Sequence, residues 1–120
     1  MDVCAEAYEK VTEVYDLDVI CTLIDLSVEA ADFGQAMVYP ENEAAHPDIN
    51  NYMIKDIADF RSLEPIKLSN APRMTGHVKL CDRLVQSKGK DVPVVAFVFG
   101  PLGILSMMRG QANMFMDMID

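Results

Sequence analysis

Asp25 stands in the stretch LIDLS (23–27), where an apolar run meets the first polar turn after it. A carboxylate at the mouth of a buried strand can accept N–H donors from a ligand or stabilise positive charge that develops on it. The same side chain can instead fold back and cap its own turn. Both readings stay open for Asp25. A second stretch with chemical potential is Phe99-Gly100-Pro101, which closes the run VPVVAFVF. Gly100 has no side chain, so a ligand can approach the main chain there; a tight strand-to-helix turn uses the same residue types. His77 and Cys81 are four apart, which puts an imidazole and a thiol on one face of a helix. Zinc would need two more ligands from elsewhere, and Cys81 also fits an apolar stripe as a small core residue. His46, beside Pro47 in a polar stretch, is expected to be solvated.

The elements that would carry these residues follow from periodicity. Cys4, Ala7, Tyr8, Val11, Val14 and Tyr15 recur at helical spacing and predict an amphipathic helix over 3–15. LDVICTLIDL (17–26) is apolar on both parities, which predicts a strand buried on both faces, as in a parallel sheet flanked by helices. Gln35 to Tyr39 predicts a short strand, and PENEAAHPDINN (40–51) a loop. Ile54 to Leu63 predicts a short helix, 64–72 a connection, and 73–88 a second amphipathic helix closed by Lys88-Gly89-Lys90.

Val92 to Met108 is a run of 17 uncharged residues. It is interrupted by Pro93, Gly100, Pro101 and Gly103, so it predicts a buried strand over 93–99, then a turn and a helix start, rather than a membrane span. Met114, Phe115, Met118 and Ile119 add a last helical stretch. The methionines near the end of the chain read as core filler, or as an adaptable contact surface. Helices alternating with buried strands predict an α/β fold with parallel strands, in one domain over 1–120.

A formal charge of −9 over 120 residues argues against nucleic acid and against anionic membrane surfaces as partners. Cys4, Cys21 and Cys81 are an odd number with no Cys-x-x-Cys spacing, so no disulfide framework is expected. The opening MDVCAEAYEK is acidic and amphipathic, unlike a secretory signal, and a cytoplasmic setting is expected. GPLGILSMMRG has neither the GxGxxG spacing nor the Gly-Lys-Ser/Thr ending of a phosphate loop.

LDVICTLIDLSVEAADFG (17–34) followed by VPVVAFVFGPLGILSMMRG (92–110), with DIADFRSLEP and a helix between them, resembles the uroporphyrinogen decarboxylase superfamily, which includes the methylcobamide:coenzyme M methyltransferases. The resemblance runs from about residue 10 to residue 120. It implies the N-terminal part of a (β/α)8 barrel, because a complete barrel takes about 250 residues. It implies that Asp25 is a catalytic and substrate-binding carboxylate facing a tetrapyrrole, and that Phe99, Gly100 and Pro101 border the same cleft.

The chain departs from the family pattern in two places. It has no arginine before Arg61, where the decarboxylases carry an arginine-rich loop for substrate carboxylates, and it has no His-x-Cys zinc pair. No metal or cofactor is therefore expected on this chain itself, while corrinoid and zinc belong to the methyltransferase branch. IDLSVEAADFG leans toward that branch. The expected ligand is a tetrapyrrole or corrinoid, and the expected assembly is a homo-oligomer or a partner chain that completes the barrel. A non-catalytic binding or assembly module is the alternative.

Overall fold

The computed structural model describes residues 2–119. The elements in chain order are α1 (Asp2–Tyr15), β1 (Ile20–Thr22), α2 (Val28–Asp32), β2 (Met37–Val38), β3 (His46–Pro47), α3 (Ile57–Arg61), a 3-10 turn (Leu68–Asn70), α4 (Pro72–Lys88), β4 (Val94–Ala96), α5 (Pro101–Arg109) and α6 (Gln111–Asp117). The fold is α/β with parallel strands, as the alternation of helices and apolar runs predicts. Among the described residues, no helix is long and apolar enough to cross a membrane. The described residues form two compact units, 2–24 with 74–98 and 25–73 with 99–119.

The first unit contains the parallel pair. β1 and β4 run side by side in the register Ile20↔Val94, Cys21↔Val95 and Thr22↔Ala96. Its core is Ala5 of α1, Ile20 of β1, and Leu80 and Leu84 of α4, with Tyr8, Ile24, Val92 and Val94 packed around them. Burying Ile20, Leu80 and Leu84 contributes about 1.5–3 kcal/mol each.

The expected strands over 17–26 and 93–99 are corrected to three residues each, and burial on both faces is corrected as well. Ile20 and Thr22 are buried, but Cys21 between them is exposed, as is Val95 of β4. Just past β1, the Tyr8 hydroxyl of α1 accepts from the Leu23 N–H at 2.9 Å and donates to the Leu23 carbonyl at 3.0 Å, so one phenol satisfies both main-chain groups of that residue.

The face of α4 with His77 and Cys81 meets β1 at Thr22. The fully buried Thr22 hydroxyl lies 2.8 Å from His77 Nε2 and 3.3 Å from Cys81 Sγ. The expected shared face is present, and its polar atoms are satisfied by a strand hydroxyl.

The second unit centres on Ala30 of α2, Ile54 and Met108 of α5, with Phe33, Leu63, Ile104 and Leu105 against them. The loop expected over 40–51 contains β3, which pairs antiparallel with β2 at Met37↔Pro47 and Val38↔His46. The strand expected over Gln35–Tyr39 is confined to Met37–Val38. Gln35 is buried and acts as a clamp: its Nε2 donates to Ala36 O and Asn51 O, and its Oε1 accepts from Met53 N. His46 is exposed, as expected.

The helix expected over 54–63 shortens to α3, because the Asp56 carboxylate caps it by accepting from Ala58 N and Asp59 N. Ile54 stays outside the helix and donates its N–H to Met108 O at 3.0 Å. Of the terminal methionines Met108 is buried as core filler, whereas Met116 and Met118 are exposed.

Candidate functional site

Asp25 begins the second unit, three residues past the end of β1. The chain turns there because Asp25 folds back on Ser27. Its Oδ1 accepts from the Ser27 N–H at 2.7 Å and also from the Ser27 hydroxyl. The turn-capping reading is therefore correct, and it accounts for one carboxylate oxygen. The other oxygen, Oδ2, accepts from Nη2 of Arg73.

Arg73 lies in the first turn of α4, where Pro72 supplies the first helical residue and so leaves no N–H to satisfy. Asp32, at the end of α2, accepts the Arg73 main-chain N–H at 3.2 Å and so ties down that turn. Arg73 Nη1 donates to Ser27 Oγ at 3.0 Å and to the Tyr39 hydroxyl at 2.6 Å. The guanidinium carbon is 5.2 Å from the centre of the Tyr39 ring, within cation–π range.

Asp25, Ser27, Tyr39 and Arg73 thus form one connected cluster. Ser27 is fully buried, while the side chains of Arg73 and Asp25 keep 26% and 22% of their exposure, so solvent or a ligand can reach the ion pair. Burial pushes the Asp25 carboxyl up. The hydrogen bonds from Ser27 and the charge and hydrogen bond of Arg73 outweigh that effect and hold it below the usual aspartate value. The group is an ionised acceptor at neutral pH.

Phe99, Gly100 and Pro101 lie in the same unit. The Phe99 N–H donates to Glu29 Oε1 of α2 at 3.0 Å, which anchors the segment. Gly100 precedes α5 with extended backbone, and Pro101 takes the first helical position, so the strand-to-helix turn is present as well. A side-chain carbon added at Gly100 would meet nothing within 4 Å, so the space above this backbone is open. At Gly103 the same carbon would come within 2.5 Å of the Phe99 ring, so the ring packs flat on the first turn of α5 only because Gly103 is bare.

Asp25 and Phe99–Pro101 are legible as site candidates in the sequence, whereas Ser27, Glu29, Asp32, Tyr39 and Arg73 are not. One signal for Arg73 was available. A cation in the first turn of a helix opposes the helix dipole and needs nearby carboxylates, which Asp25 and Asp32 supply. A cavity of about 390 Å³ also lies in this unit, lined chiefly by Ile54, Ile57, Phe60, Leu105, Met114 and Met118, and it includes none of the cluster residues. Among the described residues no three His, Cys, Asp or Glu side chains are placed to hold a metal ion, and His77 with Cys81 supplies two ligands where a zinc site takes three or four.

Two searches, one among curated proteins and one among solved structures, returned no match. A comparison with protein families returned one described as Uroporphyrinogen decarboxylase (URO-D), whose profile matches residues 1–120.

Proposed function

Because the chain belongs to the uroporphyrinogen decarboxylase family, we propose that Asp25, Arg73 and Phe99–Pro101 form one wall of a tetrapyrrole-binding cleft. In this reading the chain supplies the N-terminal part of a (β/α)8 barrel. The observation that carries the proposal is the ionised, partly exposed Asp25 carboxylate, fixed from two sides by Ser27 and Arg73. A fixed anion of this kind accepts ring N–H groups. It also stabilises positive charge on the macrocycle while a side-chain carboxylate breaks its C–C bond and leaves as CO2. Preorganisation matters here, because the carboxylate need not reorient as the charge develops.

The bare backbone at Gly100 and the Phe99 ring beside it would let a flat ring system lie close to the main chain. A second reading, corrinoid-linked methyl transfer, draws on the segment Ser27-Val28-Glu29-Ala30. Corrinoid would be the ligand of that branch, and among the described residues no third metal ligand joins His77 and Cys81, so no zinc step is assigned to these two. For the isolated chain, binding without turnover is the expected behaviour.

Anaerobic calorimetric titration with uroporphyrinogen tests the proposal. Wild type should bind, and Asp25→Asn should lose about 1.5–3 kcal/mol of affinity, the range for a hydrogen bond to a charged group. Equal affinity for the two proteins would reduce Asp25 to a turn cap. Preference for methylcobalamin over uroporphyrinogen would favour the corrinoid reading.

A further inference from the structure

The cluster around Asp25 limits what the carboxylate can do. An ionised carboxylate offers about four lone-pair sites, two on each oxygen. The Ser27 N–H and O–H take both sites of Oδ1, and Arg73 Nη2 takes one site of Oδ2. Among the contacts of the described residues one site remains, on the oxygen that Arg73 holds. Arg73 in turn is held at Nη1 by Ser27 and Tyr39, and its backbone by Asp32, so its position is set by α2, β2 and the start of α4 together. The pair is electrically neutral as a unit. A cationic group approaching Oδ2 meets the guanidinium, whereas a neutral N–H does not suffer that repulsion.

We infer that Arg73 is the positioning residue for Asp25: it fixes Oδ2 and so sets the direction from which the carboxylate can accept a ligand N–H. This inference rests on the reading of Asp25 as the ligand-facing carboxylate and adds the residue that aims it. The charged group in contact with Asp25 is Arg73 from α4; Tyr39, after β2, contacts Arg73, and Asp32 and Glu29 of α2 are engaged by the main-chain N–H groups of Arg73 and Phe99. A purely structural ion pair would matter for stability and not for ligand pH dependence, which separates the two roles.

The test uses the full chain as wild type, Arg73→Met and Arg73→Lys, with circular dichroism to confirm folding. Two quantities are measured: the titration of the Asp25 carboxyl by 13C NMR, and uroporphyrinogen affinity from pH 8 to pH 5. Arg73→Met should raise the Asp25 titration midpoint. It should weaken binding about tenfold, as expected when a hydrogen bond to a charged group loses its fixed geometry. Its affinity should fall further toward pH 5, where the wild-type profile stays flat, and Arg73→Lys should restore most of the flat profile. An unchanged Asp25 titration in Arg73→Met, or wild-type binding with a wild-type pH profile, would overturn the inference. If wild type binds no uroporphyrinogen, the proposed ligand is wrong. The carboxyl titration then still decides whether Arg73 governs Asp25. Should Arg73→Met fail to fold, Arg73→Gln carries the same comparison.

Discussion

Gly110 joins α5 to α6 with φ 85° and ψ 130°, a conformation that side-chain-bearing residues rarely adopt, and a side-chain carbon there would fall 2.7 Å from Cε2 and 2.9 Å from Cζ of Tyr52. Replacing it by alanine therefore carries two costs. Backbone strain of this kind is worth about 1–3 kcal/mol, and overlap with the Tyr52 ring adds to it unless the ring shifts. For a chain of this length each kcal/mol lowers the melting temperature by about 3–5 °C. Gly110→Ala should thus melt about 5–10 °C below wild type in a thermal scan followed by circular dichroism.

Two further variants separate the costs. Gly34 also has positive φ, 103°, but a side-chain carbon there meets nothing within 4 Å, so Gly34→Ala reports backbone strain alone. Gly110→Ala in a Tyr52→Ala background should recover the overlap part, because the cycle isolates the pairwise contribution. A Gly110→Ala protein that melts with wild type would refute the reasoning, since neither the strain nor the contact would then exist.

Gly100→Ser should leave stability unchanged or raise it slightly, because a serine suits this helix-capping position, yet it should weaken uroporphyrinogen binding by filling the open space above the backbone; equal binding would remove Gly100 from the cleft. Thr22→Val should cost about 1–3 kcal/mol in urea unfolding, because His77 Nε2 and Cys81 Sγ lose their common partner; a neutral result would mean that water replaces the hydroxyl. Asp25 has a lowered folded-state pKa, so its contribution is fully present above the unfolded value near pH 4 and is lost as pH falls through the folded value; Asp25→Asn should flatten the acid limb of stability against pH, and an identical limb would contradict the ion pair. The chain should self-associate, because among the described residues β1 and β4 form a two-stranded sheet whose outer edges are unpaired, with Cys21 and Val95 exposed; size exclusion with light scattering at micromolar concentration should give a dimer or larger closed assembly, and a sharp monomer peak would refute it.

Periodicity made the long helices α1 and α4 legible to within one residue, because their apolar stripes are long enough to fix both type and extent. The strands were legible as places rather than lengths. Apolar content marked β1, but the Tyr8 hydroxyl that takes the Leu23 main-chain groups just past it comes from α1, and no local pattern encodes that contact. The ribbon of β2 and β3 hid in a polar stretch with two prolines, where Gln35 rather than an apolar face holds the chain.

At the candidate site Asp25 was visible from its place after an apolar run. Its partner lies 48 residues away in sequence, and that pairing exists only once α4 starts at Pro72. The resemblance of 17–34 and 92–110 identified the family, and the family profile over residues 1–120 agrees with it. Neither segment includes Arg73 or Tyr39, so the resemblance alone could not supply the residues that orient the carboxylate.

Amide chemical-shift mapping of the 15N-labelled chain during titration with uroporphyrinogen would locate the ligand directly. Shifts concentrated at Asp25–Ser27, Tyr39, Arg73 and Phe99–Gly100 are the predicted result, with the amides around Ile54, Leu105 and Met114 unmoved. Shifts confined to that apolar cavity, or spread evenly over the chain with none at Asp25, would contradict the assignment of the cleft.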